Sequence, residues 1–134
     1  MFDLKRRTLV LANSGVPYPL YCRATDRHDD SREPPAPLAL PGVPLGLFQG
    51  SAYDELTIEL VAGDLFVFCT DGVHDAANAS GEDFGTPRLE QVLSRSCHKS
   101  ARELVDDIFT AVQDFRGDTA PNDDMTVVAL KITG

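Results

Sequence analysis

Two acidic turns carry the chemistry that this sequence offers. Asp71 sits in Thr70-Asp71-Gly72 at the end of an apolar run, and Asp123 sits in Asn122-Asp123-Asp124 at the start of another. Carboxylates gathered at one place repel one another unless a cation compensates them. Hard oxygen donors of this kind favour Mg²⁺ or Mn²⁺ over zinc. An ion held there would bind a phosphate, neutralise its charge and activate a water nucleophile. Gly72 would let the backbone approach closely. From residue type and spacing two readings stay open: a metal site, or two solvated turns, since Asp-Gly after a strand is a common turn.

Two other acidic sites do not fit. An EF-hand loop needs acids at alternating positions, a central Gly and a closing Glu, and residues 114 to 124 lack that pattern. Haloacid dehalogenase phosphatases place an Asp-x-Asp-Gly motif after an apolar strand and use the first Asp as nucleophile; Cys69 stands at that position here. Cys22, Cys69 and Cys97 are scattered and form neither a disulfide framework nor a zinc site. Cys69 reads as a small buried hydrophobe, and the expected compartment is the reducing cytoplasm. His28, His74 and His98 show no paired spacing and read as surface or turn residues.

The elements around the two turns would have to bring them together. Leu65 to Cys69 is apolar throughout and reads as a central strand buried on both faces, ending at Asp71. Met125 to Ile132 reads the same way and begins just after Asp123. If the two are antiparallel neighbours, both acids emerge at one edge of the sheet. Leu56, Ile58 and Leu60 alternate with Thr57 and Glu59, the pattern of a half-buried strand. Thr8 to Asn13 and Tyr18 to Arg23 read as strands, with Lys5-Arg6-Arg7 as a turn before the first. Ala24 to Pro37, rich in charge and proline, reads as a mobile loop, and Val73 to Gly85 as loop. Thr86-Pro87 is expected to open a short helix, with Thr86 as its N-cap. Ser100-Ala101-Arg102-Glu103 is a capping box for a longer one, whose stripe is Leu104, Val105, Ile108, Val112 and Phe115 and whose stop is Gly117. Strands gathered before helices indicate an α+β fold.

Charge narrows the partners. The chain has 134 residues, 43% of them hydrophobic, and a net charge of −9. Nucleic acid is not an expected partner, because phosphate backbones are held by clustered Lys and Arg. No stretch approaches the length of a membrane span.

The motifs in order resemble a known family. Gly63-Asp64, the apolar run, and Thr70-Asp71-Gly72-Val73 are similar to a segment of the bacterial SpoIIE/RsbU-type phosphatases. These belong to the PPM, or PP2C-like, metal-dependent protein phosphatases. The likeness continues through Asp75-Ala76, Asn78-Ala79, Gly81-Glu82, Phe84-Gly85 and Arg88-Leu89 to Asn122-Asp123-Asp124-Met125-Thr126. Upstream, Ala12-Asn13-Ser14-Gly15 with Pro17 and Pro19-Leu20, and Pro44-Leu45-Gly46, also match the family's order. The resemblance implies a partial α-β-β-α sandwich of antiparallel sheets flanked by helices. It implies a metal set of Asp71, Gly72, Asp123 and Asp124, in which Asp124 ranks below the other acids. Asp71 and Asp123 would be the catalytic residues, acting through the water that a Mg²⁺ or Mn²⁺ ion activates. The implied substrate is a phosphoserine or phosphothreonine protein, often an anti-sigma-factor antagonist.

The sequence also departs from the family. Val16 replaces a histidine, and His74-Asp75 replaces the usual Thr-Glu. The Asp-x-x-Gly-His-Gly motif, whose Asp bridges two metals in the family, does not occur in these residues. The expectation is therefore an N-terminally truncated domain over 1–134, with little or no phosphatase activity alone. The alternatives are a non-catalytic binding module and a non-functional remnant.

Overall fold

Side-chain alternation sorts this chain into layers. The computed structural model describes residues 1–3, 5–24 and 33–134. Its elements are β1 (Phe2–Asp3), β2 (Thr8–Leu11), β3 (Leu20–Cys22), β4 (Ala36–Pro37), β5 (Leu56–Glu59), β6 (Leu65–Cys69), α1 (Asp71–His74), α2 (Gly85–Ser96), α3 (Ala101–Arg116) and β7 (Val127–Lys131). Two antiparallel sheets result, ordered β1-β2-β5 and β4-β3-β6-β7. The fold is α+β: a helical layer, the four-stranded sheet, then the three-stranded sheet.

β6 explains why the layers hold. Leu65 and Val67 point to the helices, where they join Leu20, Val73, Leu89, Leu104 and Ile108 in one core. Phe66 points the other way, into a second core with Leu9 and Leu60. Tyr21 stacks on Phe66 there, with ring centroids 4.6 Å apart. Removing a buried Phe of this kind costs about 3–5 kcal/mol. In β5, Ile58 faces the inter-sheet core while Thr57 and Glu59 are exposed, as the alternation requires.

α3 forms as its signals dictate. Ser100 Oγ accepts from the Glu103 N–H, and the Glu103 carboxylate accepts from the Ser100 N–H at 2.9 Å. Leu104, Ile108 and Val112 are buried, and Gly117 (φ 59) ends the helix. Lys5, Arg6 and Arg7 do make the turn between β1 and β2, with Asp3 Oδ1 accepting from the N–H groups of Lys5 and Arg6.

Several expectations are corrected. β7 is an edge strand, not a central one, and Val128 is exposed. Its apolar residues report a layer on each face: Val127 and Ala129 meet the helical core, Leu130 and Ile132 the inter-sheet core. Coverage of the faces says nothing about a neighbour along the hydrogen-bonding direction. α2 begins at Gly85, one residue before Thr86, with Phe84 at the N-cap and no side-chain cap bond. Val73 and His74 belong to the one-turn helix α1 rather than to a loop. The end of the stretch read as a loop over 24–37 pairs with β3 as β4, where proline is tolerated at a sheet edge. Residues 25–32 of that stretch, including His28, lie outside the described residues.

Candidate active site

β6 and β7 run antiparallel, with Cys69 opposite Val127. The residues that follow one strand therefore meet the residues that precede the other. Asp71 leaves the C-terminal end of β6, and Asp123 and Asp124 lead into β7, so the acids share one sheet edge. The antiparallel pairing on which that expectation depended is present.

Thr70 fastens the edge. Its backbone N–H donates to Thr126 O at 3.1 Å. Its hydroxyl accepts from Thr126 N at 3.0 Å and donates to Asp124 O at 3.2 Å. Thr70 is also the N-cap of α1, yet its hydroxyl makes no cap bond, because it is spent on the neighbouring strand. Further out, the Asn122 amide donates to Asp75 O at 3.2 Å. Gly72 is buried between these segments: a Cβ there would lie 2.4 Å from Asp124 O.

The carboxylates are exposed but oriented. Asp71 Oδ1 accepts from the Gly72 N–H at 3.1 Å, and Asp123 Oδ1 from the Asp124 N–H at 2.7 Å. No other donor reaches either carboxylate among the described residues, so oxygen lone pairs remain for a hard cation or water. Among the described residues no group of three or more His, Cys, Asp or Glu side chains is placed to hold an ion. The donors fit a divalent oxygen-loving ion in kind and fall short of its full shell in number.

Two neighbours have their chemistry set by burial. The Cys69 thiol is pushed up to about 12, so the residue at the haloacid dehalogenase nucleophile position stays protonated. His74 is held below the ordinary histidine value by burial, against the opposing pull of Asp75 and Asp71.

Sequence reasoning gave Thr70, Asn122 and Asp64 no role of their own. Asp64 is fully buried, and its two oxygens accept from the N–H groups of Ala24 at 2.8 Å and Val61 at 2.9 Å. Burial, and then the charge and hydrogen bond of Asp64, push the Tyr21 phenol well above its ordinary value. Asp64 thus ties the turn before β6 to the end of β3. An acid directly before an all-apolar strand was the available signal, since a charge there is buried and must be paired.

Layers and strand order make an α+β fold of the kind seen in PP2C phosphatase domains. The chain belongs to the Stage II sporulation protein E (SpoIIE) family, whose model matches residues 1–133. Its structure is similar to the SiaA-PP2C domain of Pseudomonas aeruginosa, at TM-score 0.73 and 22% identity over 98% of this chain and 49% of that one. It is also similar to the phosphatase domain of the cell fate determinant SpoIIE from Bacillus subtilis, presoaked with Mn, at TM-score 0.68 and 16% identity over 99% of this chain and 54% of that one. A third likeness is to the RsbU and RsbW domains of Rv1364c from Mycobacterium tuberculosis, at TM-score 0.68 and 21% identity over 98% of this chain and 34% of that one. The chain thus spans about half, or less, of the length of these structures. No curated protein matches it.

Proposed function

We propose that this chain is a module of a metal-dependent phosphatase that acts on phosphoserine or phosphothreonine proteins. The observation that carries the reading is the shared edge: Asp71 and Asp123 leave neighbouring strands locked by Thr70. Family membership supports phosphatase chemistry. Asp71 and Asp123 are the proposed ligands and catalytic acids. The Gly72 backbone and Asp124 complete the proposed set, and Mg²⁺ or Mn²⁺ is the proposed ion. When bound, such an ion would supply charge neutralisation at phosphate and an activated water. This chain's residues contribute the rest: two carboxylates, each accepting from the next residue's backbone N–H, at one end of neighbouring strands.

The proposed setting is cytoplasmic sigma-factor signalling, with an anti-sigma-factor antagonist as the phosphoprotein. The RsbU and RsbW domains of the Mycobacterium tuberculosis protein support that choice. No described helix is long and apolar enough to cross a membrane. A nucleic-acid partner does not fit a chain of net charge −9.

We further propose that the chain acts as part of a domain and is weak or inactive alone. The Asp-x-x-Gly-His-Gly motif does not occur in these residues, and among the described residues no group of three or more acids is placed to hold an ion. Hydrolysis of p-nitrophenyl phosphate with Mn²⁺ tests this. The pure chain should turn over little or no substrate. Robust Mn²⁺-dependent hydrolysis, lost in Asp71→Asn, would contradict the incomplete site. The same small ligand count favours a second reading, a binding module without catalysis. In that case a phosphoprotein would bind without metal, and Asp71→Asn would leave binding unchanged.

A further inference from the structure

Arg116 ends α3 with a guanidinium that the fold uses only in part. Its Nη2 donates to Gln113 Oε1 at 2.8 Å. Its Nε and Nη1 are buried and have no hydrogen-bond partner among the described residues. Arg88 shows the contrast. Its Nη1 donates to the carbonyls of Asp83 and Phe84, and its charge lies 4.3 Å from the ring centre of Phe115. A charged donor that is buried without an acceptor is costly, more so than a neutral one. In Arg116 that cost falls on a residue beside a cavity.

The cavity, of about 530 Å³, lies between residues 78–80 and residues 115–119. Ser80 and Thr119 bring hydroxyl groups to its walls. Asp118 brings a carboxylate, yet it accepts from neither Nε nor Nη1 of Arg116. Each wall is braced from within. Asn78 Oδ1 accepts from the N–H groups of Ser80 and Glu82, and the Thr119 N–H donates to Arg116 O at 3.3 Å. Both walls run into the acidic edge. Residues 78–80 follow α1, residues 117–119 lead to Asn122, and the Asn122 amide donates to Asp75 O. A turn of the guanidinium toward the cavity gives up one side-chain hydrogen bond, the one to Gln113.

We propose that Arg116 receives an oxyanion in this cavity, a carboxylate or a phosphate group. The planar guanidinium offers parallel N–H groups that match two oxygens of either. Charge makes the place distinctive, because a chain of net charge −9 repels anions over most of its surface. The position beside the acidic edge supplies two sources, an assignment that rests on the function proposed above. One is an Asp or Glu side chain near the phosphoresidue of the bound protein. The other is the phosphate that hydrolysis frees.

Amide NMR of the whole chain without metal ion tests the site apart from catalysis. Inorganic phosphate is titrated in one arm and an unphosphorylated, glutamate-rich peptide in the other. At least one of them should give saturable shifts confined to 78–80 and 115–119. Saturation by phosphate alone assigns the site to the freed product, and saturation by the peptide assigns it to a side chain of the substrate. Arg116→Gln should weaken binding at least about tenfold, the size of one charge-assisted hydrogen bond. Arg116→Lys should also weaken it, because the charge stays and the fork is lost, and it serves if Arg116→Gln fails to fold. Asp71→Asn should leave these shifts in place, so a failure of the metal edge and a failure of the anion site are seen separately. No saturable shift with either anion would overturn the proposal. So would shifts that both Arg116 substitutions leave unchanged.

Discussion

The Cα of Gly72 faces the carbonyl of Asp124 so closely that a methyl group placed on it would sit 2.4 Å from that oxygen. Gly72 is absent from the positive-φ positions, so its constraint is steric. The two acidic turns are joined through this contact as well as through Thr70. Gly72→Ala should therefore push the 122–124 segment away from α1. A loss of about 1–3 kcal/mol, typical of overpacking, is expected in urea unfolding. Any affinity for Mn²⁺ should fall with it.

Asp64 gives a second test, distant from the metal edge. Asp64→Ala leaves the N–H groups of Ala24 and Val61 without their acceptor. Each loss of that kind costs about 1–3 kcal/mol. Chemical denaturation should show a larger loss for Asp64→Ala than for Asp71→Asn, because the Asp71 carboxylate is exposed and Asp64 is buried.

The capping box links stability to pH. The Ser100 hydroxyl and N–H hold the Glu103 carboxyl below its ordinary value, and Lys99 and Ser96 do the same for Asp107. A carboxyl lowered by folding contributes stability that is present above its unfolded value, about 4. That contribution is lost as pH falls through the lower folded value. Ser100→Ala should cost about 1 kcal/mol at neutral pH. It should also flatten the acid side of the stability curve, followed by circular dichroism, because Glu103 loses the hydroxyl, the larger of its two partners at position 100, and keeps only the backbone N–H.

Cys69 should be inert in the folded chain. With its thiol pushed up to about 12 by burial, little thiolate is present at neutral pH. Iodoacetamide labelling mapped by mass spectrometry should find Cys69 unmodified in the native chain and modified after urea. Cys69 is only partly buried, so fast native labelling would contradict the raised thiol rather than its packing.

What could be read in advance was whatever local chemistry determines. The Ser100–Glu103 box and the stripe of Leu104, Ile108 and Val112 are contained within α3, and they formed as expected. Leu65 to Cys69 could be read because both of its faces meet apolar layers. The same signal misplaced β7 in its sheet, since its residues do not record which strand lies alongside. α1 was missed because one turn containing Gly72 has no periodicity to detect. At the site, the order of the acids along the chain could be read. Thr70 could not, because its hydroxyl acts on residues beyond position 120 that only the folded sheet brings near. Asp64 hid in the same way, as a turn residue whose second partner, Ala24, is forty positions earlier.

The claim on which the functional reading stands is that Asp71 and Asp123 hold one divalent ion between β6 and β7. Amide NMR during Mn²⁺ titration tests it most directly, because the ion broadens nearby signals whether or not the chain turns over substrate. Broadening confined to 70–75 and 122–126, and abolished in Asp71→Asn, is the predicted result. Broadening spread over the acidic surface, or unchanged in Asp71→Asn, would contradict it.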